Sequence, residues 1–198
     1  MKFIFDLDGT VTAKETLPLV AKHFRVKAEI SSLTKETIQG NIPFIESFIR
    51  RVHILGKLPV TDVSNLLEHI ALHSKVCEFI QAHKEDCVIA TGNLDCWVKK
   101  LANRIGCQWY TSQAKVENNK VASIVKILNK EQVVKRYQDV GEKVVFLGDG
   151  NNDMEAMRTA DIAIAVGLTH HPANSIMSFA DYLIFNEKAL CRQLNQLF

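Results

Sequence analysis

Asp6 and Asp8 stand two apart at the end of a short apolar run, Phe3-Ile4-Phe5, with Gly9-Thr10 directly after them. The run reads as a buried strand and the glycine as the turn that ends it. Side chains two apart on a strand project to one side of the pleat, so both carboxylates are expected to look into one space. Two anions that close repel unless one takes a proton or a cation lies between them. A hard divalent ion with oxygen ligands, Mg²⁺ above all, suits such a pair. Open α/β sheets also place their ligands just beyond the carboxyl ends of the strands. A second acidic pair, Asp149 and Asp153, follows the apolar run 143–148 in Gly148-Asp149-Gly150-Asn151-Asn152-Asp153. Helical spacing continues through Met154, Met157 and Ala160, so these carboxylates are expected close together at a helix start, facing the same ion.

Two further residues fit chemistry on a phosphate. Thr91-Gly92 ends the apolar run 87–90; a small hydroxyl there can donate to a phosphate oxygen, and glycine permits close backbone approach. Helical spacing resumes at Leu94, Trp97, Val98 and Leu101, and the amides that open a helix favour anions. Lys130 begins another helical pattern, with Val133, Val134 and Tyr137 on one face. A lysine so early in a helix works against the macrodipole, which points to another task. Its ammonium could lock Asp6 and offset phosphate charge; Lys135 and Lys126 are the alternatives. His170-His171-Pro172 reads as a loop ahead of a proline rather than as a transition-metal site.

The elements that must position these residues are of two kinds. From 13 to 75 the β character disappears. Leu17, Val20, Ala21 and Phe24 have helical spacing, with Thr12 and Glu15 as a capping box. Ile45, Phe48, Ile49 and Val52 repeat the period, as do Val63, Leu66, Leu67 and Ile70, with Pro43 and Pro59 near the helix starts. A crossover between strands needs one helix, so the surplus is expected to form a small helical cap, residues 13–75, closing the site against water. Phe44, Phe48, Arg51 and Leu55 share one helical face, and an arginine on a mostly apolar face calls for an anionic partner such as a carboxylate. Residues 1–12 and 76–198 are expected to form an α/β core. Within it, 108–114 and 120–128 make a hairpin through Asn118-Asn119, 161–166 and 182–185 are strands, and 189–197 is a closing helix.

With 198 residues, 47% hydrophobic and 23% charged, the chain can bury one core with a small insertion. A net charge of +2 with the signs interspersed argues against nucleic-acid or membrane-surface binding. The apolar runs are too short to span a bilayer, and the first residues read into a strand rather than a signal peptide. Five cysteines without a C-x-x-C pair are expected to be reduced thiols in a cytoplasmic protein.

Taken in order, Asp6-Leu7-Asp8-Gly9-Thr10, Thr91, Lys130 and the 148–153 segment resemble motifs I to IV of the haloacid dehalogenase superfamily. The resemblance extends to the phosphoserine phosphatase-like branch, whose spacing from Asp6 to Arg51 is matched without a gap. It implies a Rossmann-like three-layer α/β core with a helical cap domain inserted after the first strand. It also implies roles: Asp6 as the nucleophile that becomes phosphorylated, Asp8 as general acid/base whose backbone carbonyl helps hold Mg²⁺, and Thr91 and Lys130 on the phosphate. Asp149 would ligate the metal directly and Asp153 through water, with Asn152 near the phosphate. Glu15 would bind a substrate ammonium, Arg51 a carboxylate, and Phe44 would close over the ligand, with Gly92 also in the substrate site. Two departures bear on the leaving group: Thr91-Gly92-Asn93 replaces the branch's usual Ser-Gly-Gly, and the hairpin is short. The implied activity is Mg²⁺-dependent hydrolysis of a phosphate monoester through a phospho-aspartyl intermediate, with phosphoserine as substrate in serine biosynthesis, by a monomer or homodimer. Another small phosphorylated metabolite, or transfer to an alcohol such as homoserine, is the alternative. A non-catalytic sensor is disfavoured because no catalytic carboxylate is missing, and an ion pump is excluded by the lack of membrane spans.

Overall fold

A computed structural model describes residues 1–38 and 41–198. Its centre is a seven-stranded sheet in the order β4-β3-β2-β1-β5-β6-β7. The strands are β1 (Lys2–Phe5), β2 (Cys87–Leu94), β3 (Gln108–Glu117), β4 (Lys120–Lys126), β5 (Val144–Gly148), β6 (Ile162–Val166) and β7 (Tyr182–Ile184). All neighbours pair parallel except β3 with β4. The chain first lays down β1 and later adds strands on both of its sides. The expected Rossmann-like order of layers follows, and the switch of winding direction falls at the end of β1, where Asp6 lies.

Alternation along the strands divides the core into two layers. Phe3 and Phe5 point into one, with Ile89, Val145 and Leu147. The helices on that side are α5 (Ser74–Ala82), α6 (Asp95–Ile105) and α10 (Glu187–Leu197). Ile4 points into the other, with Val88, Ala90, Phe146 and Ala163, covered by α7 (Lys130–Gln138), α8 (Met154–Thr159) and the short α9 (Asn174–Met177). β1 is buried on both faces, which is why its run is apolar without interruption.

Between β1 and α5 come α1 (Thr16–His23), α2 (Lys27–Ile38), α3 (Phe44–Leu55) and α4 (Val60–Glu68). These are the surplus helices of the expected cap, which the structure describes except for residues 39 and 40. Pro43 and Pro59 are the N-caps of α3 and α4. The face of α3 that is buried holds Phe48, Arg51, Val52 and Leu55, whereas Ile45 and Ile49, expected on the same stripe, are exposed. The α1–α3 group and the sheet share one continuous apolar core, and α4 packs on α6.

The β3–β4 hairpin turns at Asn118 and Asn119, with φ of 48° and 61°, left-handed values that asparagine tolerates. Its tip is bonded to the junction of α3 and α4. The Val60 and Thr61 N–H groups donate to the Asn119 carbonyl (2.8 Å) and Oδ1 (3.1 Å), and the Val121 N–H donates to the Gly56 carbonyl (3.0 Å). No cysteine among the described residues is in a disulfide. No described helix is long and apolar enough to cross a membrane.

Candidate active site

β1 ends at Phe5, so Asp6 and Asp8 do not lie on its pleat as their spacing suggested. The Asp6 N–H still donates to the Leu147 carbonyl of β5 at 2.8 Å, and the chain then turns. In that turn the Leu7 carbonyl accepts from the Val11 (3.0 Å) and Thr12 (2.9 Å) N–H groups, and Gly9 takes a φ of 73°. A Cβ at Gly9 would lie 2.7 Å from Asp149 Oδ2. Glycine therefore lets the turn both adopt a left-handed angle and press against the second acidic segment. A turn, not a strand face, aims both carboxylates into one cavity.

The expected capping box is absent. Glu15 is itself the N-cap of α1 and makes no side-chain cap bond, while the Thr12 hydroxyl donates to the Leu7 carbonyl and accepts from the Gly9 N–H. The donor that opens the helix, the Thr16 N–H, goes instead to Asp8 Oδ1 at 2.8 Å. Helix α1 thus holds Asp8 in place, and Glu15 is left facing the cavity.

Lys130 is buried at the start of α7, and its Nζ lies 2.6 Å from Asp6 Oδ1 and 2.6 Å from Asp153 Oδ1. Lys135 pairs with Glu131 on the surface and Lys126 is exposed, so of the three lysines only Lys130 reaches the site. Asp153 Oδ2 accepts from the Asp149 (3.1 Å) and Gly150 (2.9 Å) N–H groups, closing the 3₁₀ turn Asn151–Asp153 that leads into α8. Asp149 Oδ1 accepts from the buried Thr10 hydroxyl at 2.8 Å. One carboxylate oxygen each from Asp6, Asp149 and Asp153 fall within 4.8 Å of one another. All three residues are buried, and all the donors are hard oxygens suited to a divalent cation.

The electrostatics express that crowding. Burial raises the Asp6 carboxyl well above its ordinary value; Lys130 pulls against this, while Asp153, Asp149 and Asp8 add to it. Burial and the neighbouring Glu15 push Asp8 up to about 6, against the hydrogen bonds from Thr16. Burial also raises Asp149, partly offset by a hydrogen bond from His170. Burial works against the charge on Lys130, yet Asp153 and Asp6 outweigh it and hold the amine above its ordinary value.

The cavity over these groups has a volume of about 380 Å³. β2 brings Thr91, Gly92 and Asn93 to its wall, and the 3₁₀ turn brings Asn152. The Thr91 hydroxyl accepts from the Asn93 N–H at 3.1 Å, and the Asn93 amide donates to Thr16 Oγ1 at 2.6 Å. Asn93 therefore spans from the β2 terminus to the base of α1 in place of open space. From α3, Phe44 stacks on Phe48 with ring centroids 6.1 Å apart, and the Arg51 guanidinium lies 5.8 Å from the Phe44 centroid. Arg51 is buried to 9% exposure, and Nε donates to the Ser47 carbonyl. Among the described residues its two Nη atoms have no protein acceptor.

His170 is the residue that sequence reasoning assigned to a plain loop. The loop does run ahead of Pro172, but it follows β6 and so emerges at the same rim of the sheet as Asp6 and Asp149. There His170 Nε2 lies 2.9 Å from Glu15 Oε1 and 3.0 Å from Asp149 Oδ2. These contacts push the imidazole up to about 11, with Asp149 the larger influence. The position just beyond a buried strand's carboxyl end was the signal that could have found it.

The haloacid dehalogenase-like hydrolase family model matches residues 3–161. Phosphoserine phosphatase of Methanocaldococcus jannaschii is 25% identical over 175 residues, which cover 82% of this chain and 83% of that protein. Phosphoserine phosphatase of Archaeoglobus fulgidus is 26% identical over 175 residues, and the match spans about half (51%) of its length. A substrate-bound phosphoserine phosphatase complex superposes with a TM-score of 0.82 at 21% identity, covering 100% of this chain and 99% of the other. A phospho-aspartyl intermediate analogue of phosphoserine phosphatase gives 0.81 at 21% identity, covering 96% and 97%. These two likenesses establish the fold.

Proposed function

This chain belongs to the haloacid dehalogenase-like hydrolase family, and with that as premise we propose that it is a Mg²⁺-dependent phosphatase of phosphoserine. The observation that carries the reading is Asp6: a buried carboxylate at the carboxyl end of the central strand, gripped by Lys130 and opening into a cavity that ends at Arg51. Asp6, Asp149 and Asp153 are the side chains that would hold the metal, with the Asp8 backbone carbonyl as the family resemblance implies. Three buried carboxylates share one buried ammonium, an excess of negative charge that a divalent cation balances. The bound ion would supply Lewis-acid stabilisation of the phosphoryl oxygens.

In this reading Asp6 attacks phosphorus in line, and the P–O bond to the serine oxygen breaks. Asp8 gives its proton to the departing alkoxide, then takes one from the water that hydrolyses the aspartyl phosphate, restoring Asp6 and releasing phosphate. Burial and Glu15 raise the Asp8 carboxyl, which favours the protonated form that the first step needs. Lys130 and the Thr91 hydroxyl share the charge on the transferred group. Residues 13–75 act as the cap, and Phe44 with the α3 face screens the site from water.

The serine portion is read by Arg51 and Glu15. The Nη fork of Arg51, which has no acceptor among the described residues, suits a bidentate carboxylate, and Glu15 faces the same cavity with an acceptor for an ammonium. The test is a panel of phosphate monoesters with and without Mg²⁺, using Asp6→Asn and Arg51→Ala. Asp6→Asn abolishes turnover and leaves the fold intact. Arg51→Ala raises KM for phosphoserine more than for an aryl phosphate. Equal effects on both substrates would remove the case for an amino-acid phosphate, and hydrolysis retained by Asp6→Asn would remove the nucleophile.

A further inference from the structure

The two groups that read the serine portion are not equally available. Arg51 offers two Nη atoms without an acceptor among the described residues, whereas Glu15 Oε1 already has a donor 2.9 Å away, Nε2 of His170. The same nitrogen lies 3.0 Å from Asp149 Oδ2. Oxygens of two carboxyl groups converge on Nε2, an arrangement satisfied with the ring hydrogen on Nε2 as their shared donor. The other ring nitrogen, Nδ1, faces the His171 carbonyl at 3.0 Å and fixes the ring's orientation. A substrate carboxylate therefore meets an open partner. A substrate ammonium meets an acid that the chain has already engaged, from a loop 155 residues away in sequence.

We infer that His170 is a specificity-determining residue: by donating to Glu15 it weakens selection for the α-ammonium group, so the site also accepts phosphate esters of hydroxycarboxylic acids that lack an amino group. The inference rests on the assignment of Glu15 and Arg51 to the serine portion of the substrate. It concerns selectivity between substrates, not the chemical step, because both substrates present the same phosphate to Asp6.

The experiment compares phosphoserine with its des-amino analogue, the phosphate ester of 3-hydroxypropanoate, at saturating Mg²⁺. Both kcat and KM are measured for the unaltered protein, His170→Ala and His170→Gln. The unaltered protein turns over both esters. His170→Ala raises the ratio of kcat/KM for phosphoserine over the analogue by about three- to tenfold, the range expected when one competing hydrogen bond is removed. The change lies in KM for phosphoserine. Gln keeps an N–H donor at the end of its side chain, so His170→Gln moves the ratio less than Ala does. A ratio that stays level or falls in His170→Ala overturns the inference. That includes an equal drop in kcat on both esters, which would make His170 a support for Asp149 alone. If the unaltered protein hydrolyses an aryl phosphate but neither carboxylate ester, the serine reading has failed and the inference falls with it. Failure of the inference alone leaves phosphoserine turnover in place.

Discussion

Lys130→Met tests the ion cluster most directly. Lys130 Nζ lies 2.6 Å from one oxygen of Asp6 and 2.6 Å from one of Asp153, and these three side chains are 3%, 6% and 0% exposed. At an effective dielectric of about 20, each contact is worth about 6 kcal/mol of attraction. Desolvation of the three charges offsets most of that, so the intact cluster adds little net stability. Methionine fills much of the lysine's volume but removes the charge alone, leaving two buried carboxylates facing each other. Loss of one partner from a buried ion pair costs about 3–5 kcal/mol, and that is the expected loss at pH 7.5 in chelator. The sign of its pH dependence follows from Asp6, already raised with Lys130 present and raised further without it. A carboxyl whose folded pKa is raised stabilises the fold while protonated, and that contribution is lost as pH rises through the folded value. The loss caused by Lys130→Met therefore shrinks in acid, to less than about half by pH 4.5. Urea unfolding followed by circular dichroism at both pH values measures it. Added Mg²⁺ restores more stability to the variant than to the unaltered protein. A loss below about 1 kcal/mol at pH 7.5, or one independent of pH, would refute a buried charge cluster at this site.

Other outcomes follow from the same geometry. In chelator, Asp8 at about 6 against an ordinary 3.8 favours its protonated form in the fold. About 2 kcal/mol of stability, allowing for its partial exposure, is present below pH 4 and lost as pH rises through 6. A melting temperature that is flat from pH 4 to 7.5 without metal would contradict this, as would a failure of Mg²⁺ to stabilise most at the upper end. Gly9→Ala meets both a left-handed φ and Asp149 Oδ2 at 2.7 Å, so it lowers stability by about 2–3 kcal/mol and weakens Mg²⁺ binding. Gly141→Ala has a similar φ of 84° with nothing within 4 Å, so it costs about 1 kcal/mol and leaves Mg²⁺ titrations unchanged. Equal effects of the two alanines would show that the close approach to Asp149 is immaterial.

The parts of the site that could be read from sequence are those whose neighbours in space are also neighbours in the chain. Asp6 with Asp8, Thr91 with Gly92, and Asp149 with Asp153 each sit at the end of a run apolar enough to be a buried strand, and parallel strands bring such ends to one rim. Lys130 was singled out from Lys135 and Lys126 by its place in the family resemblance, with its ill-placed position at a helix start as mild support. The hairpin was legible from two asparagines between β-leaning runs. The failures have a common cause, since pattern alone does not say where a helix begins or which face is covered. Thr12 and Glu15 match a capping box, but the turn at Gly9 uses Thr12, and Asp8 takes the Thr16 N–H. Ile45 and Ile49 obey the helical period and still face outward, because α3 packs through Phe48, Val52 and Leu55. Helix α2 went unnamed because its apolar stripe is thin, with Ile30 its anchor in the core. His170 depends on a pairing across 155 residues, which no local spacing encodes.

The backbone bonds between Asn119 and the α3–α4 junction tie together two pieces of chain about sixty residues apart. An end of β3–β4 and the root of the arm that carries Phe44 and Arg51 are thereby joined by hydrogen bonds. Any swing that uncovers the cavity must either drag the hairpin along, straining its attachment to β2, or bend the arm above Gly56. If α3 must swing to admit ligand, the flexing of that sheet margin sets the rate, and a change at Asn119, remote from every reacting atom, then alters turnover through admission and release.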